Sequence, residues 1–330
     1  VAAALTRAGF DAAMLGALVK IPLHTRRRVD LGATRSGTDI ALGLHKAGNA
    51  AEIVDMQECV LVLPAILALL PPLRVLLRSL ESFRKAAAIH ITMLESGADI
   101  VIAGDAPVTG PDRTRMIAFA KAHGLSRIAV ADGEPVAILQ PPVIKFGEIP
   151  VELPPAAFLQ ASAAGEATIL AALLAALPKK LKPKSHIVEL FAGCGTFSFP
   201  LAAVARVDAY EGNAAAATAA DRAARAANAR VTMHQRDLHR RPLQPAEFAG
   251  AACVVLDPPF SGAGAQMRFL AASNVPSLIY ISCNPTALAA DAAQLHRAGY
   301  SLAAATAIDQ FPFSENVEAV CSFIQKKRRP

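Results

Sequence analysis

A chain of 330 residues that is 53% hydrophobic and 18% charged is long enough for two domains with cores of their own, and too apolar for disorder. A net charge of +6 suits a partner that is a polyanion without requiring one. The longest apolar run, residues 59–73, is broken by Pro64, Pro71 and Pro72 and closed by Arg74, which excludes a membrane span, and five scattered cysteines with no C-x-x-C pair argue against a disulfide framework or a zinc site.

Residues 1–7 have no basic start, apolar stretch or cleavage site of a secretion signal, so a cytoplasmic location is expected. Because translation begins with Met, a start on Val1 implies missing upstream residues. Residues 2–18 have helical spacing. Residues 28–34 and 39–44 then alternate around Ser36-Gly37, a hairpin signal. A helix is predicted over 66–83, strands over 87–93 and 99–103, and a turn and helix over 107–123. This half, residues 1–150, reads as an α+β domain. The proline-rich stretch Ile149-Pro150-Val151-Glu152-Leu153-Pro154-Pro155 marks a boundary. Over 151–330 a helix at 164–177 leads into a strand at 187–191, and strand–helix alternation to the C-terminus predicts an α/β, parallel, doubly wound sheet.

Open sheets of that kind bind ligands at the carboxyl ends of their strands. The first strand ends in Glu189-Leu190-Phe191-Ala192-Gly193-Cys194-Gly195-Thr196, where Gly193 and Gly195 let backbone approach a ligand. Ser198 stands where a dinucleotide fingerprint wants Gly or Ala, which disfavours pyrophosphate binding. S-adenosylmethionine has no pyrophosphate. The next strand, 207–210, ends at Glu211, placed to accept from ribose hydroxyls, and the strand at 231–234 is followed by Asp237, placed for the adenine amine. Each acid alone reads equally as a solvated strand end. Their order points to a class I S-adenosylmethionine-dependent methyltransferase, with a Rossmann-like domain.

The strand at 253–256 delivers Asp257-Pro258-Pro259-Phe260, whose prolines fix the backbone that carries the acid. The motif is similar both to that of amino-group methyltransferases, where the acid binds an exocyclic amine and the aromatic stacks on a flipped base, and to Asp-Pro-Pro-Arg of RNA 5-methyluridine methyltransferases. Cys283, in Ile281-Ser282-Cys283-Asn284-Pro285-Thr286 at the end of a strand over 278–281, is either a packed apolar residue or a nucleophile. An amine needs no covalent help. C5 of uracil does: a thiolate added at C6 makes C5 nucleophilic, and a base, for which Glu318 is the candidate, must then remove the C5 proton.

Phe158-Leu159-Gln160, residues 189–198, Asp257-Pro258-Pro259, Ser282-Cys283-Asn284-Pro285-Thr286, and Asp309-Gln310-Phe311-Pro312 with Val317-Glu318 together resemble the RNA uracil-5-methyltransferase family, in the family's order and across the whole second half. The resemblance, closest to the 23S ribosomal RNA type, implies Cys283 as nucleophile and Glu318 as base. It implies Gln160, Phe191, Gly193, Gly195, Thr196, Glu211 and Asp237 as the S-adenosyl-L-methionine pocket. Asp257 is implied as a ligand of cofactor or uracil, and Phe158 and Phe260 as substrate contacts. Phe260 replaces the family's Arg, Thr196 its Asn, and Ala290-Asp291 its Arg-Asp.

In the first half, Ile53-Val54-Asp55-Met56-Gln57-Glu58-Cys59-Val60 resembles the family's central domain. In iron–sulfur members Cys59 would be the last of four ligands, the rest lying in a C-x5-C-x2-C run this chain lacks, so a [4Fe–4S] cluster is expected only if upstream residues supply three cysteines. The family's RNA-binding barrel is absent too. His24-Thr25-Arg26-Arg27-Arg28 and the basic runs at 179–184 and 326–329 are candidate phosphate contacts or plain solvated faces. The expectation is thus a monomeric, cytoplasmic enzyme that makes 5-methyluridine in structured RNA, ribosomal rather than transfer RNA, on a flipped base. An amino-group methyltransferase and a non-catalytic RNA-binding relative remain as alternatives.

Overall fold

The computed structural model describes residues 1–179, 181 and 185–325, without the side chains of Ala50 and Asp132. The basic run at 179–184 lies largely outside the described residues, and that at 326–329 wholly outside. Two compact units divide the chain: Val1–Ile21, Lys145–Val151 and Ala164–Pro330 form one, and Pro22–Ile144 with Glu152–Ala163 the other. The single cut expected at 150 is therefore corrected, since the chain's first residues join the unit built from its second half.

Helix α1 (Ala2–Arg7) is far shorter than the one predicted over 2–18. It stops at Gly9, whose φ of +94° lies in the left-handed region and where a Cβ would stand 2.8 Å from the His296 ring. Phe10 is buried edge-on against His296 and beside Phe323. Strand β1 (Val19–Lys20) follows.

The second unit is built from β2 (Arg28–Ser36), β3 (Asp39–Lys46), β4 (Asn49–Asp55), α2 (Pro64–Ser79), β5 (Ala86–Leu94), β6 (Gly97–Gly104), α3 (Gly110–Ala122), β7 (Arg127–Val130) and β8 (Pro135–Ile138). Its sheet runs β4-β3-β2-β5-β6-β7-β8. Only β6 and β7 pair in parallel, because α3 carries the chain across between them. Helix α2 ends at Ser79 and not at 83, and Ile66, Leu70, Leu73 and Leu77 on one helical stripe are buried in this unit's core. Buried Asp112 forms a capping box with Thr109 and also accepts from the amides of Glu81 and Ser82.

A two-stranded hairpin, β9 (Val143–Phe146) and β10 (Ile149–Glu152), precedes the elements that complete the first unit. These are α4 (Ala163–Ala176), β11 (His186–Leu190), α5 (Ser198–Ala202), β12 (Arg206–Glu211), α6 (Ala214–Ala226), β13 (Val231–Gln235), β14 (Ala251–Leu256), α7 (Gln266–Ala272), β15 (Ser277–Ser282), α8 (Pro285–Arg297), β16 (Tyr300–Asp309) and β17 (Glu318–Gln325). The sheet order is β1-β16-β17-β15-β14-β11-β12-β13. Strands β11 to β15 pair in parallel, but β17 is antiparallel to both β15 and β16, which corrects the all-parallel expectation. A loop at 310–317, with no crossover helix, leaves β17 no other direction.

Alternation sorts the strand residues to two faces. Val188, Leu190, Val254, Leu256, Leu278 and Tyr280 share a core with Leu288 and Leu295 of α8 and with Leu5 and Phe10. Ile187, Val255, Ile279 and Ile281 share another with Ile169 and Leu173 of α4. Burial on both faces explains why these strands are continuous apolar runs, each fully buried Leu, Ile or Val contributing roughly 1.5–3 kcal/mol. The order of strands reverses between β11 and β14, the position where a crevice opens at the carboxyl ends.

Candidate active site

Both strands at the reversal end in the motifs singled out from sequence. After β11, Phe191 takes φ +62°, an uncommon conformation for a bulky residue, and Gly193 and Gly195 follow at +57° and +91°. A Cβ on Gly195 would lie 2.5 Å from the Phe199 ring, so that glycine serves packing. One on Gly193 would meet nothing within 4 Å, leaving bare backbone beside open space. Glu211, ending β12, accepts from the Gly193 amide at 2.7 Å and the Asn213 amide at 2.6 Å, which ties the loop to the neighbouring strand. Asp237 accepts from the amides of His239 and Arg240, and the His239 ring packs 5.6 Å from that of Phe191. Phe191, Gly193, Gly195, half-buried Thr196, Glu211 and Asp237 thus line up on successive strand ends.

Beyond β14, the Asp257 amide donates to Leu190 O at 3.4 Å, holding the acid beside the glycine loop. Pro258 is buried and Phe260 is 57% exposed. Beyond β15 comes half-buried Cys283, and Asn284 then does two things. Its Oδ1 caps α8 by accepting from the amides of Thr286 and Ala287, and its Nδ2 donates to Phe260 O at 2.8 Å. One side chain therefore joins the aspartate and cysteine loops.

Glu318 comes from the opposite direction. Ser282 pairs with Ala319 across β15 and β17, so Cys283 and Glu318 stand at facing positions one residue beyond the last pair. Because β17 is an interior strand, Glu318 is only 2% exposed. Its Oε2 accepts from Gln310 Nε2 at 2.7 Å, and its Oε1 is buried with no hydrogen-bond partner among the described residues. Burial pushes this acid up to about 7. Burial, then the charges of Glu318 and Asp257, push the Cys283 thiol up to about 11. A lowered value would have favoured the thiolate; the surroundings do the reverse. The strand register sets Cys283 opposite Glu318, and the Asn284 tether brings the loop of Asp257 alongside.

Three supporting groups were given no role by the sequence reading. Glu189 lies mid-strand in β11, buried, and takes a hydrogen bond from Ser198 Oγ at the start of α5; burial pushes it up to about 8. The signal was an acid between Val188 and Leu190 in an apolar run. Buried Asp291 accepts from Tyr280 Oη at 2.6 Å and the Ala263 amide at 2.8 Å, pinning the loop after Phe260. Gln310, which donates to Glu318, stood in the family segment at 309–312 but was given no role of its own.

Phe158, Gln160 and Cys59 belong to the other unit, so the domain expected over 151–330 does not contain the first two. Phe158 is 58% exposed with the Arg28 guanidinium 4.6 Å over its ring. Gln160 is buried and its carbonyl accepts from Nε of buried Arg27, so this part of the basic run is not a solvated face. Cys59 is the sole cysteine of its unit, its sulfur accepting from the Leu61 amide. One thiolate does not fit a four-cysteine cluster. Among the described residues no group of three or more His, Cys, Asp or Glu could hold a metal ion, and no helix is long and apolar enough to cross a membrane.

A family model described as tRNA (uracil-5-)-methyltransferase matches residues 149–327. An uncharacterized RNA methyltransferase of Mesorhizobium japonicum is 39% identical over 314 residues, covering 94% of this chain and 75% of that protein. One of Brucella suis is 37% identical over 305 residues, covering 92% and 72%. Among solved structures, Pyrococcus abyssi tRNA (uracil-54, C5)-methyltransferase in complex with S-adenosyl-L-homocysteine shares the fold, with a TM-score of 0.72 over 98% of this chain and 81% of that one at 17% identity. The chain therefore belongs to the tRNA (uracil-5-)-methyltransferase family, and is an RNA methyltransferase whose larger sheet has the class I, S-adenosylmethionine-dependent fold.

Proposed function

We propose that the enzyme forms 5-methyluridine in RNA through a covalent adduct between Cys283 Sγ and C6 of the target uracil. The observation that carries this is the cluster at the end of β15: a reachable thiol facing a buried acid that has one unpartnered oxygen. An acid left with a desolvated lone pair is costly unless something fills the space beside it. The carbon-bound C5 proton of a modified uracil is a fitting occupant.

The chain fits S-adenosylmethionine as methyl source. Bare backbone at Gly193 borders open space, and each Glu211 oxygen, holding one amide, retains a lone pair for a ribose hydroxyl. Asp237 offers acceptors to the adenine amine. Bound there, the cofactor supplies an electrophilic methyl. Cys283, once its proton is lost to solvent, adds to C6 as the thiolate, the ring electrons become an enolate, and C5 would take the methyl as the S–CH3 bond breaks and its electron pair stays on the cofactor sulfur. Glu318 then removes the C5 proton, and those electrons restore the C5–C6 double bond as the Sγ–C6 bond breaks and thiolate leaves. Asp257, fixed by Pro258 and Pro259, holds the polar edge of the uracil. The target must leave its stack to reach this position.

Cys283→Ala is expected to abolish both turnover and the covalent RNA adduct seen as a slow band on denaturing gels. Turnover without the thiol would point to the amino-group chemistry that Asp257 to Phe260 otherwise suits. We infer a uridine of 23S ribosomal RNA as target from the resemblance of the second half. The substrate of the archaeal neighbour makes a tRNA uridine the second reading. Nucleoside mass spectrometry of ribosomal and transfer RNA from cells lacking the protein separates them by which pool loses one 5-methyluridine. Cofactor binding with no loss from either pool would mean a non-catalytic relative.

A further inference from the structure

Two exposed aromatic rings stand on the loops that border Cys283 and Glu318. Phe313, in the loop that delivers Glu318, is 83% exposed and has φ +66°, a conformation that disfavours any residue with a Cβ. Its turn is nevertheless built: Ser314 donates to Phe311 O from both its amide and its hydroxyl, and the Asn316 amide donates to Ser314 Oγ. The ring is thus held out in water, where it contributes nothing to a core. Phe260 is tethered through its carbonyl to Asn284, next in sequence to Cys283.

One exposed Phe is ordinary; two at the rim of one site, one of them on strained backbone, are not. A cationic turn adjoins the Phe260 loop. His239, Arg240 and Arg241 are all exposed, and a Cβ on Gly264 would lie 3.6 Å from His239 Nδ1. Exposed rings beside cations match the two chemistries of a single-stranded nucleic acid, π-faces and phosphates. The target base itself belongs deeper, at buried Glu318.

We propose that Phe260 and Phe313 are stacking platforms for unpaired nucleotides flanking the target uridine, with the His239-Arg240-Arg241 turn on their phosphates, so that the enzyme takes a single-stranded segment of RNA. The proposal rests on the reading of Cys283 and Glu318 above for the position of the target.

The test uses the full chain carrying Cys283→Ala, so that no adduct contributes, with S-adenosyl-L-homocysteine present. The probe is a fluorescent oligouridylate of about 12 nucleotides, free or annealed to oligoadenylate, followed by anisotropy. Phe260→Ala and Phe313→Ala should each weaken binding of the free strand roughly five- to tenfold, and the duplex should bind more weakly than the strand. Tyr at either position should restore affinity, whereas Leu, apolar but without a π-face, should not. Arg240→Ala should lower the salt slope by about one. Phe313→Gly, which suits the left-handed backbone, should lose binding while its thermal midpoint stays at or above that of the parent. Unchanged affinity in the double alanine variant, equal affinity for duplex, or full rescue by Leu would overturn the proposal. Failure of the underlying reading shows separately, as turnover by Cys283→Ala.

Discussion

At the scale of single residues, the proposed chemistry turns on two groups whose surroundings oppose their ionised forms. Cys283 is pushed up to about 11 and Glu318 to about 7, so at neutral pH the thiol rests protonated and the acid holds its proton far more tightly than an exposed carboxyl. If each must ionise before C6 attack and C5 deprotonation, kcat/KM rises with pH. The logarithmic slope should stay positive through neutral pH, with no plateau up to about pH 9. A flat profile above pH 8 would show instead that the thiol proton is passed on inside the complex. Glu189 adds a second buried acid, also pushed up, and its bond from Ser198 Oγ sets the helix that follows the glycine loop.

At the scale of elements, the site is a set of strand ends joined by side chains that cap the helices beyond them. Asn284 shows this best, because capping α8 uses its oxygen and tethering Phe260 uses its nitrogen. Asn284→Ala should cost about 1 kcal/mol in urea unfolding and lower turnover. Asn284→Asp keeps the cap but, as an ionised acid, donates nothing to Phe260 O. Its stability should recover while its turnover stays low, and recovery of both would mean that the tether is idle. The β16–β17 hairpin works on the same terms: its antiparallel return, not a crossover, brings Glu318 to face Cys283.

At the scale of the molecule, the unit that holds the candidate site depends on residues distant from it in sequence. Leu5, Phe10 and Ile21 are buried in its cores, and β1 pairs with β16. Phe10→Ala should therefore destabilise this unit by about 3–5 kcal/mol. Its three tyrosines, Tyr210, Tyr280 and Tyr300, are the only ones in the chain and there is no Trp, so tyrosine fluorescence during urea unfolding reports this unit alone. A loss under about 1 kcal/mol would mean the N-terminal segment is an accessory and not part of the core.

Strands β11, β14 and β15 were legible within a residue or two because burial on both faces leaves largely apolar runs, and each motif-bearing residue followed where a run stopped. Strands β4 and β7 to β10 were not, being short or polar along one face. The sequence by itself thus determined the candidates for the chemistry: Gly193, Glu211, Asp257, Cys283 and Glu318 are named by residue type and position at element ends. Only the tertiary structure decided how they meet. An apolar pattern has no direction, so nothing in residues 318–325 tells that β17 runs antiparallel between two strands and buries Glu318 against Cys283. Nor does local sequence report desolvation, which comes from distant neighbours. For that reason the thiol proved raised, Phe158 and Gln160 fell in the other unit, and residues 1–21 joined the sheet they serve.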